Sequence, residues 1–468
     1  MNNSFAIIGL GTMGRNFLLN LAEHDFQVIG YDIDQSKREL LLRTSNNGRI
    51  SAADSLQDLV KSMARPRKIM LLVPAGKVVD QVINDLAGLL EPGDLIIDGG
   101  NSHFTDTERR IDELAKKGIT FLGVGISGGE EGARHGASIM AGGEPSDYEI
   151  VRPFFEAASA KVNGEPCAAN VGRRSAGHFV KMVHNGIEYG LMQLIAEAYD
   201  LLVRTYELEQ DEIAELFAEW NKGELSSFLI EITSIVLKKK DEETGEPLVE
   251  KILDQAGQKG TGKWTSQAAM DLGIPIPTID SAVTMRQISS LKNLRNSIAE
   301  CYKADLTTHH TELREEELEK ALLAAFYLTF AQGFSLLVEA SKNFGYELNP
   351  ARIARIWRGG CIIRAKILDI INAAFTNQPD LESILTSPDI IKIISENSFS
   401  LRRALSAFNG HGIPAMCFGA SLDYFDAMRS KRLTANLIQA QRDFFGAHTY
   451  QRIDKEGVFH TTDWKGEK

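Results

Sequence analysis

The 468-residue sequence lacks any stretch close to the roughly 18 to 20 consecutive apolar residues that a membrane-spanning helix needs. Its first residues, Met1-Asn2-Asn3-Ser4, have neither the basic flank nor the apolar run of a signal peptide. Prolines number only 13 and 43% of the residues are hydrophobic, so extended disorder is not expected. We therefore expect a globular protein of two or three domains that stays in the cytoplasm and has no membrane partner.

Cysteine is also scarce, and no CxxC pair occurs. A disulfide framework and a thiolate zinc site are therefore both disfavoured, and we expect all four cysteines to be buried as small hydrophobic residues. They are Cys167, Cys301, Cys361 and Cys417. No group of Asp, Glu or His has metal-ligand spacing, and the tandem pair His309-His310 is predicted to be exposed, so no metal is expected.

Positive charge is in deficit, with a formal net charge of -12. Such a surface repels nucleic acid, which is not expected as a partner. It repels a small anionic substrate as well, unless Lys and Arg side chains gather locally. Any site for an anion must therefore be local and basic.

Short apolar runs alternate with helical patterns near the start of the chain, which predicts a parallel α/β sheet. The runs are Phe5 to Leu10, Gln27 to Tyr31, Ile69 to Val73, Leu95 to Ile97 and Ile119 to Val124. After about Gly172, helix-length segments rich in Leu, Ala, Glu and Ile take over to about residue 430. The predicted fold is an α/β Rossmann-type dinucleotide-binding domain (1–175), then a large all-α domain (176–430) and a C-terminal tail (431–468).

The last segment mixes aromatic residues, glycine and charges, with little amphipathic period beyond Leu433 to Gln441. A tail of this kind is expected to be disordered unless it docks on another surface. The charge run from Lys238 to Glu243 is interpreted as a solvated turn.

A glycine-rich motif follows the first predicted strand and opens a helix, which is the context that a GxGxxG dinucleotide site requires. The first glycine permits a tight turn, the second lets the backbone approach a pyrophosphate, and the third allows close helix packing. The predicted cofactor contacts are Gly9, Leu10, Gly11, Thr12, Met13 and Gly14.

The second predicted strand ends at Tyr31-Asp32, where an acidic side chain can accept hydrogen bonds from the ribose hydroxyls of NAD. A ribose phosphate would meet Asp32 and Asp34, and like unit charges about 4 Å apart repel by roughly 4 kcal/mol. Lys37 and Arg38 offset part of this repulsion. NAD is therefore favoured over NADP; the alternative is that Asp32 only caps the following helix.

The segment from Gly177 to Tyr189 is the most informative in the chain. If it is helical, four polar side chains share one face, while Val180, Val183 and Ile187 supply an apolar face. The four are Lys181, His184, Asn185 and Glu188. A polar stripe usually faces solvent, but here it follows the stretch Ser127-Gly128-Gly129 and a dinucleotide motif, which favours a catalytic role.

Dehydrogenation of an alcohol needs a base for the hydroxyl proton, and a buried lysine with a lowered pKa suits that role. Lys181 is the predicted base. A ketone beside a carboxylate then loses carbon dioxide if its oxygen is held by a cation, so protonated Lys181 can act without a metal. Glu188, kept protonated by burial, is predicted to donate a proton to carbon.

These residues belong to longer stretches that resemble the decarboxylating 6-phosphogluconate dehydrogenase family over essentially the full chain. The matching stretches are Ile97-Asp98-Gly99-Gly100-Asn101-Ser102, Gly125 to Gly132, Lys181 to Gly190, Lys259-Gly260-Thr261-Gly262-Lys263-Trp264 and Gln439 to His448. The resemblance implies oxidation and decarboxylation of 6-phosphogluconate with a nicotinamide dinucleotide, in the pentose phosphate pathway. It also implies Lys181 as general base and Glu188 as general acid.

The resemblance further implies which residues touch the substrate. Contacts to its carboxylate and hydroxyls are expected from Asn101, Ser127, Gly128, Gly129, His184 and Asn185. Contacts to its phosphate are expected from Tyr189, Lys259, Thr261, Arg286, Arg442 and His448, which would supply the local basic cluster. The family forms homodimers whose tails enter the partner's active site, so Arg442 and His448 are expected to serve a second copy of the chain.

The chain departs from the family pattern in three places. The stretch Asp32-Ile33-Asp34 stands where NADP-using members have Asn-Arg-Thr or Asn-Arg-Ser, which removes an arginine that would hold the ribose phosphate. The predicted cofactor loop Val73-Pro74-Ala75 has proline where lysine is common. Ala137 and Ala141 replace prolines and remove no chemical group.

Two other interpretations stay open on the sequence. One is another β-hydroxyacid dehydrogenase, such as one acting on hydroxyisobutyrate, although those enzymes are shorter and lack the Lys259 to Trp264 and tail signatures. The other is a non-catalytic regulator that binds a dinucleotide, since a fold alone does not prove activity.

Overall fold

A computed structural model describes residues 3–44, 48–206, 208–258, 260–302 and 313–466. Lys259 and the pair His309-His310 lie outside the described residues. The chain divides into two compact units, Met1–Ser421 and Leu422–Lys468. The bounds of the three predicted domains stay predictions.

The first unit begins with a sheet of eight strands in the described residues. The strands are β1 Phe5–Ile8, β2 Val28–Tyr31, β3 Ile50–Ala52, β4 Lys68–Leu71, β5 Leu95–Asp98, β6 Thr120–Ser127, β7 Ser138–Gly142 and β10 Ala168–Gly172. Between β7 and β10, strands β8 Lys161–Val162 and β9 Glu165–Pro166 form a separate hairpin. Their spatial order is β10-β7-β6-β5-β4-β1-β2-β3. Every neighbouring pair is parallel except β6 with β7.

Strand β1 shows why this sheet needs cover on both faces. Phe5 and Ile7 pack into one buried cluster, whereas Ala6 and Ile8 pack into another. Alternate residues of a strand point to opposite faces, so an unbroken apolar run belongs to a sheet that is buried on both sides. All five predicted strand positions are confirmed, with ends shifted by a few residues.

Helices follow the strands and cover the sheet. They are α1 Thr12–Glu23, α2 Gln35–Thr44, α3 Leu56–Lys61, α4 Lys77–Ala87, α5 Phe104–Ala115, α6 Gly129–His135 and α7 Pro145–Ala158. The strand–helix alternation and the parallel pairing confirm the predicted Rossmann-type domain.

Between Gly172 and about residue 430, the described part of the chain is helical, as predicted. The helices are α8 Ala176–Thr205, α9 Gln210–Trp220, α10 Phe228–Lys238, α11 Thr261–Leu272, α12 Pro277–Ser290, α13 Lys292–Cys301, α14 Glu315–Phe344, α15 Pro350–Trp357, α16 Ile367–Asn377, α17 Pro388–Gly410 and α18 Met416–Met428. In the described residues, one helix, Glu315–Phe344, is long and apolar enough to cross a membrane, but its most apolar window is 89% buried inside the fold. The predicted solvated turn follows α10, and its lysines are exposed.

The second unit has more structure than the sequence led us to expect. It contains helix α19 Ala435–Gly446 and an antiparallel pair of short strands, β11 Tyr450–Gln451 and β12 Val458–Phe459. Asp443 is 1% exposed and lies at the centre of this arrangement. Hydrogen bonds within the tail, which have no periodic signature in sequence, order the segment.

The expectation for the cysteines holds at three positions and is wrong at the fourth. Cys167, Cys361 and Cys417 are buried, whereas Cys301 is exposed. Cys301 is the last residue of α13, in which no residue is buried. Its position on a solvent-facing helix therefore overrides the tendency of cysteine to be buried.

Candidate active site

The predicted polar row lies on helix α8, and it is not exposed to solvent. His184 is completely buried and Lys181 is only 6% exposed. Glu188 lies one turn beyond His184, and 18% of its side chain is exposed. The general tendency of such a stripe to face water is overridden because the helix packs beneath strand β6.

Glycines allow this close packing between α8 and the sheet. A Cβ atom added at Gly125 would lie 2.3 Å from the Cβ of Lys181. One added at Gly177 would lie 2.2 Å from the carbonyl oxygen of Gly123. Real side chains cannot approach so closely, so any larger residue at Gly125 would displace Lys181.

The polar side chains form a connected row. The Lys181 Nζ lies 3.5 Å from the His184 Nδ1. The His184 Nδ1 in turn lies 3.8 Å from a carboxylate oxygen of Glu188. On its other side, the His184 Nε2 lies 3.2 Å from the Ser127 Oγ at the end of β6. The edge of the His184 ring meets Trp357, with ring centroids 5.6 Å apart.

Burial shifts the pKa of all three groups. It lowers the pKa of Lys181, with a smaller opposing effect from Glu188. Burial, followed by the charge of Lys181, brings the pKa of His184 well below its usual value. Burial raises the pKa of Glu188, against the opposing effects of Lys181 and Arg286. The row therefore favours an uncharged base beside a protonated acid, which is what proton transfer requires.

The stretch Ser127-Gly128-Gly129 joins β6 to α6 next to this row. A Cβ atom at Gly128 would lie 2.5 Å from the carbonyl oxygen of Gly360, which shows that this turn is packed against the helical region. A Cβ atom at Gly129 would have nothing within 4 Å. Beside the row, the Oδ1 of Asn185 is buried without a hydrogen-bond partner.

A second group of predicted contacts lies at Tyr189. The guanidinium of Arg286 stacks over the Tyr189 ring at 3.5 Å and donates a hydrogen bond of 2.9 Å to the Gly257 carbonyl. Helix α11 approaches the same ring, since a Cβ atom at Gly262 would lie 2.5 Å from Tyr189. Thr261, the first residue of α11, is buried.

The predicted dinucleotide motif has the required geometry. Gly9 has a φ of 98° and Gly14 packs against it, so that a Cβ atom at Gly14 would lie 1.9 Å from the Gly9 carbonyl oxygen. A Cβ atom at Gly11, by contrast, would have nothing within 4 Å. Leu10 is buried, and Thr12 and Met13 open helix α1. Free backbone N–H groups at such a helix start suit a pyrophosphate.

The end of β2 is more structured than predicted. One carboxylate oxygen of Asp32 accepts a 2.8 Å hydrogen bond from the Leu10 N–H, and the other accepts one from the Asp34 N–H. The Lys37 Nζ lies 3.4 Å from Asp32. Asp34 accepts from the Ser36 N–H at the start of α2, so it is Asp34 that serves as the cap. Ile33 is 87% exposed.

A cleft of about 650 Å³ opens at the carboxyl ends of the strands. It includes the predicted residues Met13, Val73, Pro74, Ala75 and Asn101. Sequence reasoning missed Leu72, Gly76, Gly99, Gly100, His103, Asp106, Ile126 and Trp264, which also line it. The rings of Trp264 and His103 meet edge to face, with centroids 4.9 Å apart. In the sequence, the one indication of Trp264 was that it ends the family stretch Lys259 to Trp264.

The two predicted tail residues lie in the second unit. Arg442 is exposed on α19 and donates a hydrogen bond of 3.1 Å to the Gln439 side chain. His448 follows the helix, with its ring 5.9 Å from that of Phe445. Among the residues that the structure describes, no group of three or more His, Cys, Asp or Glu is placed to hold a metal ion.

Comparison with known proteins finds one enzyme family along nearly the whole chain. Residues 4–171 match the NAD binding domain of 6-phosphogluconate dehydrogenase, and residues 177–464 match the C-terminal domain of that enzyme. The chain is 48% identical over 461 residues to the NADP(+)-dependent, decarboxylating 6-phosphogluconate dehydrogenase of Bacillus subtilis, covering 98% of both chains. It is 48% identical over 456 residues to decarboxylating 6-phosphogluconate dehydrogenase 1 of Saccharomyces cerevisiae, covering 96% of this chain and 93% of the yeast protein.

A solved structure agrees with these relatives. Plasmodium falciparum 6-phosphogluconate dehydrogenase, studied without ligand, with NADP+ and with 6-phosphogluconate, superposes with a TM-score of 0.95 at 40% identity. The match covers 98% of this chain and 100% of that one. The chain therefore belongs to the decarboxylating 6-phosphogluconate dehydrogenase family.

Proposed function

We propose that the protein converts 6-phosphogluconate into ribulose 5-phosphate and carbon dioxide while reducing NAD or NADP, as a step of the pentose phosphate pathway. The observation that carries this proposal is the buried row of Lys181, His184 and Glu188 beside Ser127. It offers a base with a lowered pKa and an acid with a raised pKa, about two helical turns apart on one face of α8. Family membership over the full chain disfavours the shorter β-hydroxyacid dehydrogenases as the alternative.

Lys181 acts first, as the general base. A carboxylate leaves readily when a carbonyl lies on the β carbon, so the hydroxyl to be oxidised is the one on C3 of the substrate. Burial lowers the pKa of Lys181, and its neutral amine takes the proton of this hydroxyl. A bound NAD or NADP would supply an oxidised nicotinamide as the acceptor for the hydride of the same carbon.

Lys181 then supports decarboxylation. Its new ammonium group donates a hydrogen bond to the C3 oxygen as the bond to the carboxylate breaks and carbon dioxide leaves. The negative charge that develops on this oxygen is stabilised in a site from which water is largely excluded, where such an interaction is strong. No metal ion is required for this step.

Glu188 completes the reaction. Burial raises the pKa of Glu188, so its carboxyl group retains a proton that it donates to the carbon that lost the carboxylate. The pKa of His184, which lies between the two groups, is far below its usual value. A neutral His184 adds no second positive charge beside Lys181 and leaves a hydrogen-bonding nitrogen for the substrate.

We assign the carboxylate and hydroxyl contacts to six predicted residues around this row. They are Asn101, Ser127, Gly128, Gly129, His184 and Asn185. The unpartnered Oδ1 of Asn185 supports this assignment, because a buried acceptor without a partner costs free energy that a substrate hydroxyl can recover. The open space beside Gly129 supports it as well.

The substrate phosphate is assigned to Tyr189, Lys259, Thr261 and Arg286, with Arg442 and His448 from a second copy of the chain. Arg286 keeps a planar guanidinium stacked on Tyr189, which fixes its orientation for paired hydrogen bonds to a phosphate. We propose that the protein is a cytoplasmic homodimer in which each tail completes the site of the other subunit. Such an arrangement concentrates cations where the net charge of -12 would otherwise repel an anion.

The glycine loop and the cleft fit a dinucleotide. Open space at Gly11 lets a pyrophosphate approach the start of α1, and Val73, Pro74, Ala75 and Asn101 line the adjoining cleft. We propose NAD as the favoured cofactor, although the Bacillus subtilis relative is named as NADP(+)-dependent. The reason is local. Asp32 ends strand β2, where we assign the ribose, and Ile33 stands where NADP-using members of the family have an arginine.

Initial rates test the function and the cofactor together. The purified protein is given 6-phosphogluconate with saturating NAD or NADP, and both reduced nicotinamide and trapped carbon dioxide are followed. We expect equal amounts of the two products and a higher rate with NAD. A higher rate with NADP would overturn the role assigned to Asp32, and activity with neither would favour the non-catalytic regulator.

A further inference from the structure

The cofactor cleft is bordered by two loops, and one buried arginine touches both of them. We propose that Arg110 of α5 is a positioning residue that holds the loop at residues 73–76 and the loop at residues 98–102 in the geometry that binds the dinucleotide. The inference rests on the proposed function, because it assumes that this cleft holds NAD or NADP.

Arg110 makes hydrogen bonds in several directions from a side chain that is 1% exposed. Its Nη2 donates to the Gly76 carbonyl at 3.1 Å. Its Nη1 lies 3.2 Å from both the Ser102 Oγ and a carboxylate oxygen of Asp98, and its Nε donates to Asp80 at 2.8 Å. The planar fork of an arginine can reach these partners together, whereas a lysine ammonium cannot.

On the first loop, Arg110 fixes the start of α4. Gly76 precedes Lys77, the first residue of that helix, and Asp80 lies in its first turn. Pro74, Ala75 and Gly76 all line the cleft. Because Arg110 binds both the Gly76 carbonyl and the Asp80 carboxylate, it determines where this loop turns away from the sheet.

On the second loop, Arg110 neutralises Asp98, which is completely buried at the end of β5. Asp98 shapes the loop by accepting hydrogen bonds from the Gly100 N–H at 3.0 Å and from the Ser102 hydroxyl at 2.6 Å. Gly100 and Asn101 line the cleft. A buried carboxylate holds such an arrangement only if its charge is compensated, which is the second task of Arg110.

The same network continues to the catalytic helix. The Asp98 carbonyl lies 3.0 Å from the Nε2 of His178, whose Nδ1 lies 2.7 Å from the hydroxyl of Thr107 on α5. His178 is one turn before Lys181 on α8. The loop that borders the cofactor cleft is therefore tied both to Arg110 and to the helix that carries the proposed base.

The test is the substitution Arg110→Lys in the full-length protein, with Arg109→Lys as matched control. Lysine keeps a positive charge beside Asp98 but loses the fork. Arg109 is the neighbouring residue on α5, and it also pairs with Asp80, but its side chain is 44% exposed. Its other partners, Asp106 and Glu113, are carboxylates of α5 itself. Arg109 therefore contacts neither of the two loops. Binding of NADH and NADPH is measured by their fluorescence, together with amide hydrogen exchange across both loops.

We expect Arg110→Lys to raise the dissociation constant of the reduced dinucleotide by about tenfold, equivalent to about 1.4 kcal/mol of lost binding energy. Amides at 74–76 and 99–102 should exchange faster. The KM for 6-phosphogluconate should rise by a smaller factor than the dissociation constant of the dinucleotide, because Asn101 is the one residue of these two loops that we assign to the substrate. Arg109→Lys should match the wild type in every measurement.

Wild-type affinity and wild-type exchange in Arg110→Lys would overturn the inference. If the wild-type protein itself binds neither NADH nor NADPH, the proposed function fails instead, so the two failures are distinct. Should Arg110→Lys not fold, Ser102→Ala carries the test, because it removes the Ser102 hydroxyl to which Arg110 donates and leaves only the direct pair of Arg110 with Asp98 on this loop. We then expect about a threefold rise in the dissociation constant, and no rise would overturn the inference.

Discussion

Lys181 shows how one residue's surroundings create its chemistry. Its ammonium form is disfavoured by burial, and this cost is reduced only in part by Glu188. In water the same side chain would be a poor base at neutral pH, because nearly all of it would be protonated. In the proposed mechanism, the site therefore supplies the base by excluding water from a lysine rather than by using a different residue type.

We predict that Lys181→Arg lowers kcat by at least about 100-fold, because an arginine keeps its proton and cannot act as a base. The dissociation constant for the dinucleotide should remain close to that of the wild type, since Lys181 is not among the residues that line the cofactor cleft. Steady-state rates and NADH fluorescence titrations check both expectations.

Lys366→Arg is the matched control, because Lys366 is an exposed lysine that pairs with Glu224. This variant should keep wild-type kcat. A loss of less than about tenfold in Lys181→Arg would contradict the general-base role, for which losses of about 100-fold or more are typical.

Helix α8 carries a second acid, Glu197, which is fully buried and joins two helices. Glu197 is 2% exposed and accepts hydrogen bonds from the Cys417 and Phe418 N–H groups at the start of α18. Burial raises the pKa of Glu197 to about 7, with these hydrogen bonds acting in the opposite direction. The carboxyl group therefore serves as the cap of α18 while it titrates near neutral pH.

The raised pKa has a defined consequence for stability. Because the folded protein binds this proton more tightly than the unfolded chain does, the stabilisation is fully present below the unfolded pKa near 4.5 and is lost as pH rises through about 7. Relative to Glu197→Gln, which cannot titrate, the wild type should lose on the order of 3 kcal/mol of unfolding free energy across this range.

Thermal unfolding at pH values on both sides of this range measures the difference. Glu215→Gln is the control, because Glu215 is exposed on the neighbouring helix α9. It should follow the pH dependence of the wild type. Equal pH dependence in Glu197→Gln and the wild type would show that the carboxyl group stays ionised.

The tail depends on one carboxylate. Asp443 accepts hydrogen bonds from the N–H groups of Thr449 and Thr461, from the Trp464 indole and from the His460 ring, all between 2.9 and 3.1 Å. Burial pushes the pKa of Asp443 upwards, but these hydrogen bonds outweigh it and hold the pKa at about 2. Asp443 therefore stays ionised and fixes the turn that carries His448.

We predict that Asp443→Asn loosens the tail, because an amide has one acceptor oxygen in place of two. Thr449 and Thr461 should exchange their amide hydrogens faster, and the KM for 6-phosphogluconate should rise through displacement of Arg442 and His448. Asp454→Asn is the control, since Asp454 is an exposed tail residue paired with Arg452. Unchanged exchange in Asp443→Asn would contradict the central role of this carboxylate.

Elements with a strong period could be predicted from sequence, and elements that depend on distant partners could not. The apolar runs of β1 and β2 and the helix α8 were predictable because their patterns are local. Strand β3 has three residues, and β7 and β10 contain Ser, Gly or Asn, so their patterns are weak. The order of the tail and the reach of Trp264 to the cleft arise from contacts remote in sequence.

At the scale of the whole molecule, the charge balance sets a problem that the proposed dimer solves. The chain carries a net charge of -12, and its substrate in our proposal bears both a carboxylate and a phosphate. Arg286 and Lys259 come from one unit, whereas Arg442 and His448 come from the tail unit. If the tails are exchanged, each substrate phosphate is bound by cations from two copies of the chain.

Exchange of tails predicts that two inactive variants restore each other. Lys181→Met removes the base of its own site, and Arg442→Ala removes a phosphate contact from the partner's site. In a mixed dimer of the two, one site lacks both residues and the other retains both. Unfolding and refolding an equal mixture should therefore recover about a quarter of wild-type activity, because about half of the dimers are mixed and one of their two sites is intact. Each variant refolded alone is the control and should stay inactive. If each tail instead served its own subunit, every site in the mixture would lack one residue and no activity would return.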